Sequence, residues 1–274
     1  MKKILLTGNK GFIGKNIEKF LLDHDEEFEI ITIEKDFYRP QDWEVSLDET
    51  IKSVQIVLHV GADSNTLNTD IENVMFLNFL VSKKIFDLAE KYKIPVVYSS
   101  SAACNGVNGY PSNLYSWSKF AAEQYGIKNN KEFIALRYFN VFGPGEEKKG
   151  KMSSVAYQSW GKESFVLFPK KPSRDFIYIK DVVEATTFPI FKKVNSGIYD
   201  VGTGESRTFE EVLNGLGVEI KYSEENIIPH GYQYFTKADK NKFMDGWTPK
   251  FNLSTGLKDY INYLNQNNIE NLEY

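Results

Sequence analysis

Short apolar runs alternate with amphipathic stretches along the first half of the chain. Lys3-Ile4-Leu5-Leu6-Thr7 is too short for a core helix and stops at Gly8, so it reads as a buried strand. Residues 15–22 then place their apolar side chains at helical spacing. The alternation continues with strands over 28–33 and 55–60, a long helix over 70–92, a strand ending at Tyr98, a helix over 113–128 and a strand running from Phe133 toward Gly143-Pro144-Gly145. Asp42-Trp43 lies in a short connection, where the indole either flanks a ligand's ring or covers a core edge. His59 sits inside an apolar run and reads as a core histidine. Strands alternating with helices across Gly-rich turns predict an α/β fold, a doubly wound parallel sheet with right-handed crossovers.

The second half is less regular. It predicts a helix over 153–162, a strand over 165–168, a last strand over 197–201 turning at Gly202-Thr203-Gly204, and helices near 209–216, 237–243 and 254–264. The expected division is a larger domain of residues 1–145 plus about 174–204, with a smaller interleaved α/β C-terminal domain of about 146–173 plus 205–274. The chain has 274 residues, 42% hydrophobic and 26% charged, with a formal net charge of −4. That balance argues against a nucleic-acid or anionic-membrane partner. The one cysteine cannot form an internal disulfide, as suits a reducing compartment. The apolar run after Lys2-Lys3 ends at Thr7, short of a signal peptide or a membrane span. A cytoplasmic protein is therefore expected, with no metal site.

Candidate chemistry begins at the first strand–helix junction. Gly8-Asn9-Lys10-Gly11-Phe12-Ile13-Gly14 has the spacing G-x-x-G-x-x-G. Gly8 permits the tight turn, Gly11 lets the backbone approach a pyrophosphate, and Gly14 lets helix and strand pack closely, as in a Rossmann-type site. Glu34, after the second strand, is placed to accept from the adenosine ribose hydroxyls, which favours NAD; Lys35 and Arg39 beside it suit a 2′-phosphate instead. The small residues Gly61 and Ala62 leave room for a cofactor's phosphates, and Asn78 either reaches the cofactor or decorates a helix surface. Further along, Ser99-Ser100-Ser101 ends a strand, and Tyr115-Ser116-Trp117-Ser118-Lys119 puts a phenol and an ammonium one turn apart on a helix. A nearby ammonium favours the phenolate, and Ser101 can bond the same substrate oxygen. Such a group takes a proton from an alcohol while hydride leaves its carbon.

Taken with Arg137-Tyr138-Phe139-Asn140-Val141-Phe142-Gly143-Pro144 and Arg174-Asp175-Phe176-Ile177-Tyr178, these residues resemble the extended short-chain dehydrogenases/reductases that act on nucleotide sugars. Val141 to Ala156, Ser196 to Gly204 and Gly231 to Asp239 are similar to segments of ADP-L-glycero-D-manno-heptose 6-epimerases. The resemblance implies a tightly held NADP, with NAD not excluded because of Glu34, and a homo-oligomer. It implies catalytic roles for Ser101, Tyr115 and Lys119, and for Lys149 as a second base. It further implies cofactor contacts from Gly8, Gly11, Phe12, Ile13, Gly14, Glu34, Lys35, Gly61, Ala62, Asn78, Ser99 and Val141. Asn140, Lys151, Gln158, Phe168, Arg174 and Tyr232 would line the nucleotide-sugar pocket. Two bases are needed because the hydroxyls of the two epimers point differently.

The chain departs from that pattern in places: Lys151 replaces a common Ser, Gln158 a His, Val60 an acidic residue and Asn105 a Tyr, and the loop after Glu34 is shorter. The rival readings are a 4-epimerase, a 4,6-dehydratase or a reductase of the same fold, or a non-catalytic cofactor-binding protein. Ala102 and Ala103 stand where dehydratases usually carry an acid pair, which counts against that option.

Overall fold

The computed structural model describes residues 1–24, 26–107, 109–169, 171–224, 232–267 and 269. Gly231, part of one resemblance segment, lies outside them. The chain divides into two units, residues 1–137 with 183–199 and residues 138–182 with 200–274.

The first unit is built on β1 (Lys2–Thr7), α1 (Phe12–Leu22), β2 (Phe28–Ile33), α2 (Trp43–Ser53), β3 (Ile56–His59), α3 (Ile71–Met75), α4 (Val81–Tyr92), β4 (Val96–Ser101), α5 (Leu114–Asn129) and β5 (Phe133–Tyr138). A π turn, Phe76–Leu80, joins α3 to α4 as one long helix. The strands after β5 are β6 (Asn140–Phe142), β7 (Ser164–Leu167), β8 (Ser173–Arg174), β9 (Phe176–Tyr178), β10 (Gly197–Val201), β11 (Arg207–Thr208) and β12 (Glu219–Tyr222); the helices are α6 (Val155–Ser159), α7 (Ile179–Phe191), α8 (Phe209–Leu216) and α9 (Leu253–Gln266).

The central sheet has six strands in the order β10-β5-β4-β3-β1-β2. β1 pairs in parallel with β2 and β3, and β3 in parallel with β4. Strand order reverses at β1, so the crevice at the carboxyl ends of β1 and β3 is where such sheets bind ligands. The core needs strands buried on both faces: Ile4, Leu5, Leu6, Val57, Leu58, Val96 and Val97 are all buried. Each such side chain contributes about 1.5–3 kcal/mol.

In the second unit β6 pairs with β9 and β7 with β12, both in parallel, while β8 pairs with β11 antiparallel. A small core of Leu167, Leu213 and Val218 lies beneath the β7–β12 pair and α8.

Several elements differ from expectation. Asp42-Trp43 opens α2 rather than filling a connection, and Trp43 packs edge-on against Tyr38 and Phe76. The apolar run after Phe133 is two strands, because Phe139 leaves the ladder and β6 joins β9 instead. The helix expected over 237–243 is a single 3₁₀ turn, Lys240–Lys242, capped by the Asp239 carboxylate. The helix expected over 153–162 is confined to α6, and α7 is additional.

Candidate active site

At the β1–α1 junction the backbone itself forms a cradle. Gly8 has φ +75°, and a Cβ there would stand 2.5 Å from Gly61 Cα; one on Gly14 would stand 2.0 Å from Gly8 O. The N-terminus of α1 is capped by Gly11 without a side-chain bond, and no acidic residue lies in its first turn, which contains Phe12 and Ile13. A helix start left free of side-chain caps and carboxylates suits a pyrophosphate. Glu34 follows β2, and its Oε1 accepts the Lys10 N–H of the glycine loop at 2.6 Å. Lys35 is exposed, and Arg39 pairs with Asp36 at 3.0 Å.

His59 is the core residue its neighbours suggested, and its tautomer can be assigned. Ser82 Oγ–H donates to Asn78 O at 2.8 Å, so Ser82 Oγ must accept from His59 Nε2–H, also at 2.8 Å. Nδ1 then accepts from Thr7 Oγ1–H at 2.8 Å, and Thr7 Oγ1 accepts the N–H groups of Val60 and Gly61. Burial, with the nearby Lys119 charge, holds His59 down at about 3, so it stays neutral. This chain of bonds fixes the Gly61-Ala62 turn against Gly8.

Asn78 is fully buried in the π turn, so it does not decorate the helix surface. Its Oδ1 accepts from Asp63 N at 2.7 Å, and its Nδ2 donates to Asp63 O and to Ser118 Oγ at 2.9 and 3.0 Å. The amide is thus a strut between the loop after β3 and α5.

The position of α5 is set by a capping box: Asn113 Oδ1 accepts from Ser116 N, and Ser116 Oγ accepts from Asn113 N. That start places Tyr115 in the first turn and Lys119 on the buried face. Burial pushes the Tyr115 phenol up to about 12, and the neighbouring Ser101 side chain offsets only part of that rise. Lys119 is 2% exposed; burial pulls it down to about 7 against the charges of Cys104 and Glu123. Its Nζ donates to Ser99 Oγ at 3.5 Å and stands 4.2 Å from the Tyr98 ring centroid. The direct phenol–ammonium contact that the i, i+4 spacing suggests is replaced by these two. Ser101, Tyr115, Lys119 and Ser99 are nonetheless brought together, beside the turn that carries Gly61.

In the second unit Lys149 lies in the 3₁₀ turn Glu147–Met152, between the exposed Lys148 and Lys151. It is less exposed than either; burial lowers its pKa, and the neighbouring Glu146 charge opposes that shift. Glu146, which sequence reasoning passed over, is fully buried and anchors the loop. Its carboxylate accepts from Gly143 N, Ser154 N and Ser154 Oγ at 3.1, 2.6 and 2.8 Å. Gln158 turns inward, donating to Ser153 O at 2.7 Å and Lys151 O at 3.2 Å. Asn140 is exposed on β6 beside Val141.

Arg174 is buried, and among the described residues no carboxylate pairs with it. Asp175 and Asp181, nearby in sequence, accept backbone N–H groups of Thr203, Gly204 and Ala238, and of Lys250 and Phe251. The guanidinium instead faces the Tyr232 ring at 5.1 Å, with Phe168 5.9 Å beyond it. A buried cation edged by aromatic rings is suited to a nucleotide's phosphate and base.

Residues 4–202 match the NAD dependent epimerase/dehydratase family. An ADP-L-glycero-D-manno-heptose-6-epimerase of Brachyspira hyodysenteriae is 31% identical over 95% of this chain and 97% of its own. The crystal structure of the ADP-L-glycero-D-manno-heptose-6-epimerase of Helicobacter pylori superimposes with a TM-score of 0.80 over 96% of each chain at 24% identity. The structure of MoeE5 in complex with UDP-glucose and NAD gives 0.79 at 22% identity, over 97% of this chain and 99% of that one. By residues matched and identity over nearly its full length, this chain belongs to the NAD dependent epimerase/dehydratase family.

Proposed function

We propose that the chain epimerises a nucleotide-linked sugar by transient oxidation at a carbinol carbon, and that the sugar is an ADP-heptose or a close relative. The observation that carries this reading is the Tyr115 phenol beside the Ser101 side chain, near a glycine cradle and with Lys119 buried. The first unit would hold the dinucleotide and the second the sugar nucleotide. Gly8, Gly11, Phe12, Ile13, Gly14, Gly61 and Ala62 would meet the pyrophosphate, Glu34 the adenosine ribose, and Ser99 and Lys119 the other ribose. Glu34 supports NAD over NADP: a carboxylate 2.6 Å from the Lys10 amide would repel a 2′-phosphate, and Arg39 is drawn to Asp36.

When bound, the dinucleotide supplies the hydride acceptor and returns the hydride. Tyr115 moves the proton at the sugar hydroxyl oxygen, and Ser101 orients that oxygen. Lys149 serves the epimer whose hydroxyl points the other way; its burial favours the neutral amine a base requires. Arg174, Phe168 and Tyr232 would hold the nucleotide, with Asn140, Lys151 and Gln158 nearer the sugar. Cytoplasmic location and homo-oligomeric assembly belong to the same reading; Cys104 is buried and unpaired, as a reducing compartment permits.

The test is to incubate purified protein with ADP-L-glycero-D-manno-heptose in D₂O, without added cofactor, and follow both epimers by NMR. Interconversion without solvent deuterium on the inverted carbon, and without net change at 340 nm, is expected. No interconversion would reject the substrate, and in a parallel sample supplied with NAD(P)H a net loss of absorbance at 340 nm would favour a reductase.

A further inference from the structure

A buried lysine ammonium without a carboxylate partner ordinarily gives up its proton. Lys119 is in that position: among the described residues it has no ion pair, and one long hydrogen bond reaches Ser99. What does face it is an aromatic ring. The Lys119 Nζ stands 4.2 Å from the Tyr98 centroid, inside the roughly 6 Å range over which a ring face attracts a cation.

Tyr98 is fully buried, and its hydroxyl has no hydrogen-bond partner among the described residues. A buried tyrosine normally satisfies its hydroxyl. The ring, rather than the phenol, is therefore the part in use. Its place is fixed on several sides: His59 stacks at 5.6 Å and 25°, Phe133 at 5.9 Å and 28°, and Phe86 meets it edge-on at 5.3 Å. His59 is itself locked by Thr7 and Ser82, so the platform has little freedom to shift.

We propose that Tyr98 is a positioning residue of the active site, whose ring face holds the Lys119 ammonium in place and in its charged form. The proposal rests on the reading of Tyr115 and Lys119 given above, and it assigns a role to a strand residue that never touches substrate. The other groups facing Lys119 do not substitute for the ring. His59 on β3 is neutral, and Ser99 on β4 is uncharged. The Cys104 thiol in the turn after β4, itself pushed up by burial, and the Glu123 carboxylate on α5, paired with Arg137, only partly offset the effect of burial on Lys119, and neither bonds its ammonium. A desolvated cation–π contact of this kind is worth about 1 to 1.5 units of Lys119 pKa.

The experiment replaces Tyr98 with phenylalanine, then with phenylalanines carrying progressively more ring fluorines, introduced by stop-codon suppression. Fluorination drains the negative ring face while keeping shape and packing, so the series avoids the cavity that Tyr98→Leu would leave. Lys119 is titrated by NMR of its ¹³Cε in lysine-labelled protein, assigned with Lys119→Arg. Tyr98→Phe is expected to titrate as the unmodified protein does. The pKa should then fall with each fluorination, by about one unit across the series, and the alkaline limb of the turnover pH profile should move with it. A Lys119 pKa that is the same for every ring overturns the proposal, whatever happens to turnover. Failure of the underlying reading looks different: Tyr115→Phe would keep its turnover while the Lys119 titration still answered the question posed here.

Discussion

Behind the serine strand, Arg137 and Glu123 form a buried ion pair that ties three elements together. Arg137 Nε donates to Glu123 Oε2 at 2.8 Å and Nη2 to Oε1 at 2.7 Å, while Ser100 Oγ donates to Oε2 at 2.7 Å. The remaining nitrogen, Nη1, donates to Asn105 Oδ1 at 2.6 Å, in the turn that follows Ser101. Arg137→Met keeps the length of the stem and removes the fork. Glu123, fully buried, would then retain Ser100 and the Gln124 amide as its donors. Stranding a buried charge costs about 3–5 kcal/mol, and a chain of this size loses roughly 2–4 °C per kcal/mol. A drop of roughly 6–20 °C in the thermal midpoint, read by circular dichroism, is the expected result. The double variant Arg137→Met with Glu123→Leu removes the charge with its partner and leaves Ser100 as the buried group short of a bond, at about 1–3 kcal/mol, while the exposed Asn105 and Gln124 amides turn to water. It should be more stable than Arg137→Met alone. A single variant within about 1 kcal/mol of the parent, or a double variant less stable than the single, would refute this account of the pair.

Three further outcomes can be checked. Lys149→Ala should cripple epimerisation while sparing dismutation of a bound aldehyde analogue; loss of both would make Lys149 a structural residue instead. His59 is held at about 3, against about 6.5 in an unfolded chain, so the unfolded state binds more protons between those values. Its contribution to stability is complete above pH 6.5 and is lost as pH falls toward 3, by up to about 1.4 kcal/mol per pH unit; urea denaturation across that window should show a slope that His59→Asn flattens. Glu34→Ala should relax the choice between NAD and NADP, narrowing the ratio of their dissociation constants measured by calorimetry; an unchanged ratio would place the selection elsewhere.

Much of the first unit is legible in the sequence because its signals are local. β1, the glycine turn, β2 and the start of α5 are each specified by a few adjacent residues, and the buried strands are nearly continuous apolar runs. α2 is harder to see because it buries only Leu47 and Ile51, one turn apart, in an otherwise polar stretch. The break between β5 and β6 is hidden because the apolar run continues across it, and only pairing with β9 reveals the change of sheet. α7 carries Pro189 near its end, a residue that ordinarily argues against a helix. In the site, Tyr115 and Lys119 are found by spacing, but what Lys119 rests on is not. Tyr98, Glu123, Arg137 and the His59 relay are made of residues far apart in the chain, and no periodicity brings them together. Glu146 was visible as an acidic residue beside Lys149, with nothing local to mark it as buried.

The central claim is that the Tyr115 phenol moves the proton at the sugar hydroxyl, and Tyr115→Phe tests it with one oxygen atom removed. The variant should keep the circular dichroism spectrum and thermal midpoint of the parent and lose at least about 10²–10⁴-fold in the rate of epimer interconversion, the range a proton-transfer group contributes. A variant that interconverts the ADP-heptose epimers within a factor of a few of the parent would contradict it.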